Sequence, residues 1–326
     1  MVKSILVLLA SLLASSQTIA GEPTLPLGFP KPLQHLAVNE ALVELGRHLF
    51  YDVRLSTNGT TSCATCHSHA LAFTDGKTKS IGATGALTEH NAMSLVNLAY
   101  RDSFGWRDKH NALQQLDRPL FADDPMEMGM NPEVMPESIL DEPYYQSAFE
   151  QIFSGTNRIS WPNIKQALVA FELTLVSGNS EYDAWVFEDK PPSEAAIAGM
   201  DLFQSERLNC SQCHGGMGFN DEFFIEETEP RTDFQDNGLE PGTPFRTATL
   251  RNIEVTAPYM HDGRFETLEQ VIGFYAEGPN PENNLKGFEL TALETQQLLL
   301  FLNSLTDQTF LANPAFGNPW QRLKPI

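Results

Sequence analysis

Two pentapeptides concentrate the reactive side chains of this chain: Cys63-Ala64-Thr65-Cys66-His67 and Cys210-Ser211-Gln212-Cys213-His214. Both have the form C-x-x-C-H. This spacing lets two thiols add to the two vinyl groups of one haem, while the adjoining imidazole reaches the iron from one face. All four cysteines of the chain lie in these motifs. Two other readings compete. Paired C-x-x-C knuckles can hold one zinc ion, but zinc has no use for a His fixed after each second Cys, and the pairs stand far apart in sequence. A redox-active C-x-x-C calls for a thioredoxin-like βαβ setting, and nothing around either motif suggests one. The residues therefore predict two covalently bound haem c groups, with His67 and His214 as proximal ligands and no thiol left for a disulfide.

The elements that must position these motifs are helical. Asn39 can cap a helix carrying Leu42, Leu45, Leu49 and Phe50 at helical spacing, which delivers the chain to the first motif. Gly46, Leu49, Phe50, Arg54 and Leu55 recur at one constant offset as Gly199, Leu202, Phe203, Arg207 and Leu208, ahead of the second motif and with a shorter linker to it. A repeated helix-then-haem unit predicts two related domains. Between the copies, Ser160-Trp161-Pro162 opens a helix with Ile164, Leu168, Phe171 and Leu175 on one face, and Gly178 follows its end. Pro191-Pro192-Ser193 starts the helix leading to the second motif. Thr291 and Glu294 form a capping-box pattern ahead of Leu298, Phe301, Leu302 and Leu305. Residues 215–250 read as loop, and strand signals are weak throughout. The expected class is mainly α: two cytochrome c-like haem domains with long loops, over 21–177 and 178–326.

Residues 1–20 read as a secretory signal, with Lys3 as the charged start, an apolar run Ile5 to Leu13, and a cleavage site at Thr18-Ile19-Ala20. The run is too short to span a membrane comfortably, so no span is expected after cleavage. Export to the periplasm suits covalent haem attachment. The formal charge of −21 makes nucleic acid an unsuitable partner and a basic or neutral protein a suitable one.

Several stretches together resemble the bacterial di-haem cytochrome c peroxidase superfamily. In the first half these are Leu45-Gly46-Arg47-His48-Leu49-Phe50-Tyr51-Asp52, Ser62 to His67, and Glu127-Met128-Gly129. In the second half they are Thr249-Leu250-Arg251-Asn252 and Ala257-Pro258-Tyr259-Met260-His261-Asp262-Gly263. Leu27-Gly28-Phe29-Pro30, Phe73-Thr74-Asp75-Gly76, Ala92 to Asn97 and Asn318-Pro319-Trp320 further resemble the MbnH and MauG-like branch, whose members use hydrogen peroxide to oxidise a partner protein. In MbnH-like enzymes the oxidised residue is tryptophan.

The resemblance implies roles for particular residues. Glu127 matches the acid that shuttles a proton between the oxygens of bound peroxide, a general acid–base task. Gln115 matches a pocket glutamine, and Trp106 the tryptophan lying between the haems. Residues 70–89 contain no His, so the first haem is expected to be five-coordinate, without the blocking ligand of peroxidases that need prior reduction; His90 remains a candidate for that ligand, against a reading of His69 and His90 as surface or hydrogen-bonded histidines. For the second haem, Tyr275 matches the tyrosine ligand of MauG-like enzymes, with Met260 as its rival. Asn91, Thr256 and Pro258 match positions that hold calcium between the haems, the latter two through main-chain oxygens. The acidic run from Asp117 to Asp124 departs from the family pattern. The expected function is peroxide-driven oxidation of a periplasmic partner protein. The alternatives are a cytochrome c peroxidase fed by a small cytochrome, and a non-enzymatic di-haem electron carrier.

Overall fold

The computed structural model describes residues 25–33, 39–102, 104–106, 111–121, 127–220, 245–279 and 286–320. The expected signal, 1–20, and the part of the acidic run beyond Phe121 lie outside these residues. Eleven α-helices occur among the described residues: α1 Glu40–Phe50, α2 Cys63–Cys66, α3 Asp117–Leu120, α4 Glu137–Leu140, α5 Pro143–Ile152, α6 Trp161–Glu172, α7 Glu181–Glu188, α8 Glu194–Gln204, α9 Leu268–Ala276, α10 Ala292–Asn303 and α11 Gln308–Leu311. No extended strand is present there, only isolated bridges such as Ser68 to Thr74. The class is mainly α.

The helix starts follow local chemistry. Asn39 Oδ1 accepts the Leu42 amide at 2.8 Å and so satisfies a donor that has no partner within α1. Ser193 caps α8 through the Ala196 amide. Thr291 and Glu294 close a full capping box on α10. α6 begins with Trp161-Pro162, where the missing proline N–H costs nothing.

The packing is duplicated. α1 crosses α6 at Gly46, and α8 crosses α10 at Gly199. A Cβ on Gly46 would lie 1.9 Å from the Ala167 carbonyl oxygen, and one on Gly199 would lie 2.0 Å from that of Gln297. Only glycine lets the backbones approach this closely. One turn on, Phe50 meets Phe171 with ring centroids 5.2 Å apart, and Phe203 meets Phe301 at 5.1 Å. A third phenylalanine completes each cluster: Phe73 at 5.8 Å from Phe50, and Phe219 at 6.2 Å from Phe203. Two separate apolar cores result, one around each triad.

The halves join through a buried polar hub. The Asn97 amide donates to the Leu175 carbonyl, and the Asn252 amide donates to that of Leu305. Asn97 and Ser177 exchange hydrogen bonds, Asn252 Nδ2 donates to Ser177 Oγ, and Asp307 Oδ2 accepts the Gly178 and Asn179 amides. Beyond the hub, the chain returns to the first core. Phe310 packs on Phe73 with centroids 6.0 Å apart, Arg47 donates to the Ala315 carbonyl at 2.9 Å, and Trp320 Nε1 donates to the His48 carbonyl at 2.9 Å.

Two candidate haem cavities

Each C-x-x-C-H motif ends in an imidazole held the same way. His67 Nδ1 donates to the Phe73 carbonyl at 2.8 Å, and His214 Nδ1 to the Phe219 carbonyl at 2.9 Å. A carbonyl only accepts, so in each ring Nδ1 carries a proton, and a metal would bind through Nε2. That is the arrangement a metal ligand needs, with its orientation fixed by an outer partner. Both acceptors are reached through left-handed backbone, φ +61° at Phe73 and +50° at Phe219. The phenylalanines of the two triads thus serve twice: the ring packs the helix crossing and the carbonyl aims the imidazole. Burial also lowers the His67 pKa, which keeps the ring neutral.

The second cavity measures about 440 Å³ and opens onto Cys210, Cys213 and His214. Leu250, Leu268, Ile272, Leu298 and Leu302 give it apolar walls. Tyr275 of α9 and Met260, at φ +72°, both line it. Burial pushes the Cys210 thiol up to about 12 and raises that of Cys66, so neither is a reactive thiolate at neutral pH.

The first cavity, about 200 Å³, is more polar. It brings Cys66 and His67 together with Gln115, Glu127, Arg101, His90 and Trp106. Glu127 is anchored by its main chain, whose carbonyl accepts the Ala83 amide. Its carboxylate is close enough to both motif cysteines to raise their thiols. His69 is turned elsewhere, its Nε2 donating to the Phe310 carbonyl at 2.8 Å. The two motifs open into different cavities, which removes the single four-cysteine zinc site. An apolar chamber beside paired thiols and an oriented imidazole fits a thioether-bound haem.

Trp106 lines both cavities. Its Nε1 donates to the Asn91 carbonyl at 2.9 Å, and its own carbonyl accepts the Arg246 amide. Asn91 is buried. Its amide donates to the His261 carbonyl and its Nδ2 to that of Lys77. The Asn91 segment therefore lies against the one bearing Thr256 and Pro258. These three residues offer neutral oxygens, the Asn91 Oδ1 and two main-chain carbonyls. No cluster of three His, Cys, Asp or Glu side chains suited to a metal occurs among the described residues.

Sequence reasoning missed Glu172. It ends α6, is 4% exposed, and its Oε2 accepts Gln115 Nε2 at 3.0 Å. Burial with no neighbouring cation pushes its carboxyl up to about 8. Glu172 follows Leu168 by one helical turn, on the face of Ile164, Leu168 and Phe171, but only the packing of α6 shows it buried.

The family model for di-haem cytochrome c peroxidase matches residues 40–191. The methylamine utilization protein MauG of Methylorubrum extorquens is 31% identical over 85% of this chain and 82% of its own. The cytochrome c551 peroxidase of Nitrosomonas europaea is 31% identical over 81% of this chain and 80% of its own. In three dimensions, a MauG-like protein associated with microbial copper homeostasis superposes with a TM-score of 0.85 at 35% identity, covering 93% of this chain and 100% of its own.

Proposed function

The chain belongs to the di-haem cytochrome c peroxidase family, and from that premise we propose that it is a periplasmic oxidoreductase that uses hydrogen peroxide to oxidise a partner protein at tryptophan. Cys63 and Cys66 would hold one haem and Cys210 and Cys213 the other, with His67 and His214 available to the irons. The haems supply the irons that take up peroxide and hold its oxidising equivalents.

The remaining work belongs to the protein. Glu127 takes a proton from the near oxygen of peroxide and returns it to the far one, so that water can leave. Gln115 orients the peroxide. Tyr275 would be a ligand to the second iron, where an anionic oxygen would favour the oxidised states of that site; Met260 is the alternative ligand. Asn91, Thr256 and Pro258 would hold a calcium ion through their oxygens, and Asn91 ties that site to Trp106 through its carbonyl. The single observation that carries this reading is the placement of Trp106. One indole lining both cavities gives electrons a route from the second site to the first, so a substrate too large to enter either pocket can be oxidised at the surface.

The second reading is a cytochrome c peroxidase fed by a small cytochrome, and Met260, which lines the same cavity as Tyr275, favours it. The test is to add peroxide to the fully oxidised protein without a donor. On the first reading two oxidising equivalents persist and are later recovered in an added tryptophan-containing protein. On the second they decay quickly, and turnover requires a reduced cytochrome. Trp106→Phe should leave peroxide uptake intact and abolish oxidation of the protein substrate. Unimpaired oxidation would remove Trp106 from the route.

A further inference from the structure

α6 packs on α1 along an apolar face, yet its last residue is a buried glutamate. The position is unfavourable twice over. The carboxyl is 4% exposed, and it sits in the final turn, where unsatisfied carbonyls repel negative charge. No base offsets this, since burial alone governs its ionisation. The packing of α6 gains nothing from such a residue, and local rules broken this way point to a functional demand.

What the carboxyl does touch is Gln115, at 3.0 Å. Seven residues earlier on the same face of α6, Lys165 Nζ grips Asp117 at 2.5 Å. The two contacts clamp the Gln115–Asp117 segment onto α6. They differ in kind. The Lys165 pair is partly open to solvent, whereas Glu172 reaches a residue that lines the first haem cavity. We propose that Glu172 is a positioning residue for that cavity: its buried oxygen holds the Gln115 amide with nitrogen toward α6, leaving Oε1 as the acceptor offered to whatever hydrogen-bonding ligand enters beside Glu127. Without Glu172 the amide can rotate and present its N–H groups instead, a donor where the site needs an acceptor.

This deepens the peroxide reading and rests on it for the identity of the ligand, though not for the Glu172–Gln115 contact. The charged and titratable groups around Glu172 are few. Cys63 of α2 feels both Glu172 and Glu127, and its thiol would be consumed by haem attachment. Lys165 and Asp117 pair with each other. On α1, Glu44 accepts from Arg47 and His48 lies against Glu44, so these charges face one another.

The experiment has two arms on the haem-loaded protein. In the first, difference infrared spectroscopy in H2O and D2O follows buried carboxylic acids. Wild type at pH 7 should show a protonated carboxyl band that is absent in Glu172→Gln, disappears as pH rises through about 8, and moves in Gln115→Leu. A missing band, or one unmoved in Gln115→Leu, overturns the proposal whatever the protein does to peroxide. In the second arm, stopped-flow mixing with hydrogen peroxide compares two variants at pH 7. Glu172→Gln keeps an acceptor for Gln115 and should react within about 2-fold of wild type. Glu172→Leu removes the acceptor and should slow the reaction about 10-fold or more, the usual scale for losing an outer partner. Equal slowing in both variants, or none in Glu172→Leu, overturns it. If no variant, nor wild type, reacts with peroxide while the infrared coupling holds, the peroxide reading fails and the positioning contact stands.

Discussion

Alanine at Gly46 should separate the two helices that build the first core. Its Cβ would lie 1.9 Å from the Ala167 oxygen, 2.6 Å from the Ala167 carbonyl carbon and 2.9 Å from Phe171 Cβ. Two of the three are backbone, so no side chain can swing aside. α1 must back away from α6 by about 1 Å, a gap that forfeits a quarter to a half of each dispersion contact along the crossing. Leu45, Leu49 and Phe50, all fully buried, lie on that face. Overpacking of this kind costs about 3 kcal/mol at its upper range, and lost contacts add to it, while alanine's helix preference returns about 1 kcal/mol. The expected net loss is about 2–4 kcal/mol. Gly273 in α9 is the control: it is exposed, and a Cβ there meets nothing within 4 Å. Gly273→Ala should gain about 0.5–1 kcal/mol. Denaturant unfolding of the haem-loaded proteins, followed by far-ultraviolet circular dichroism and Soret absorbance, measures both. If Gly46→Ala matches wild type, or the two variants shift stability in the same direction, the close crossing is wrong.

Four further outcomes are expected. Asp183→Asn should cost about 3–5 kcal/mol, because it strands the Arg251 guanidinium, fully buried and paired with Asp183 at 2.8 Å; thermal unfolding reads it, and a loss under about 1 kcal/mol would mean that water reaches the pair. Glu127→Gln should slow the peroxide reaction by about 100-fold with both haems retained, and an unchanged stopped-flow rate would remove Glu127 from the mechanism. With the first iron open and the second closed by a sixth ligand, the oxidised protein should show one high-spin and one low-spin electron paramagnetic resonance signal, and Tyr275→Phe should alter only the low-spin one; a change in Met260→Leu instead makes methionine the ligand. The raised Glu172 carboxyl stabilises the fold fully below its unfolded value, 4.5, and that contribution is lost as pH climbs through about 8. The slope should approach 1.4 kcal/mol per pH unit at its steepest, about, and vanish in Glu172→Gln when unfolding is measured across that range.

The helix-then-motif repeat is legible in the sequence because two helices can cross this closely only at glycine, and the phenylalanine one turn on fixes the register. Phe171 and Phe301 complete the same crossings, yet they sit at a different offset from the first pair, since the intervening loops differ in length. A scan at one offset cannot join them to Gly46 and Gly199. The carbonyls of Phe73 and Phe219 are harder still. Their contribution comes from a left-handed backbone conformation at a non-glycine residue, which leaves no mark in composition or periodicity. Cys63 to His67 and Cys210 to His214 announce the cavities outright, since the spacing itself is the chemistry. Glu172 does not stand out among 42 acidic residues until α6 packs and removes it from water.

The return of residues 308–320 to the first core has a consequence for the order of events during synthesis. The second core draws on residues 203–305 and is complete in sequence before that segment emerges. The first core lacks Phe310 over Phe73, and α1 lacks the carbonyls that hold Arg47 and Tyr51, until residues 310–316 have been made. His69, two residues after His67, waits for the Phe310 carbonyl as well. A chain stalled or clipped after Asp307 would therefore carry a finished second half and an open first one. The half made first is the half finished last.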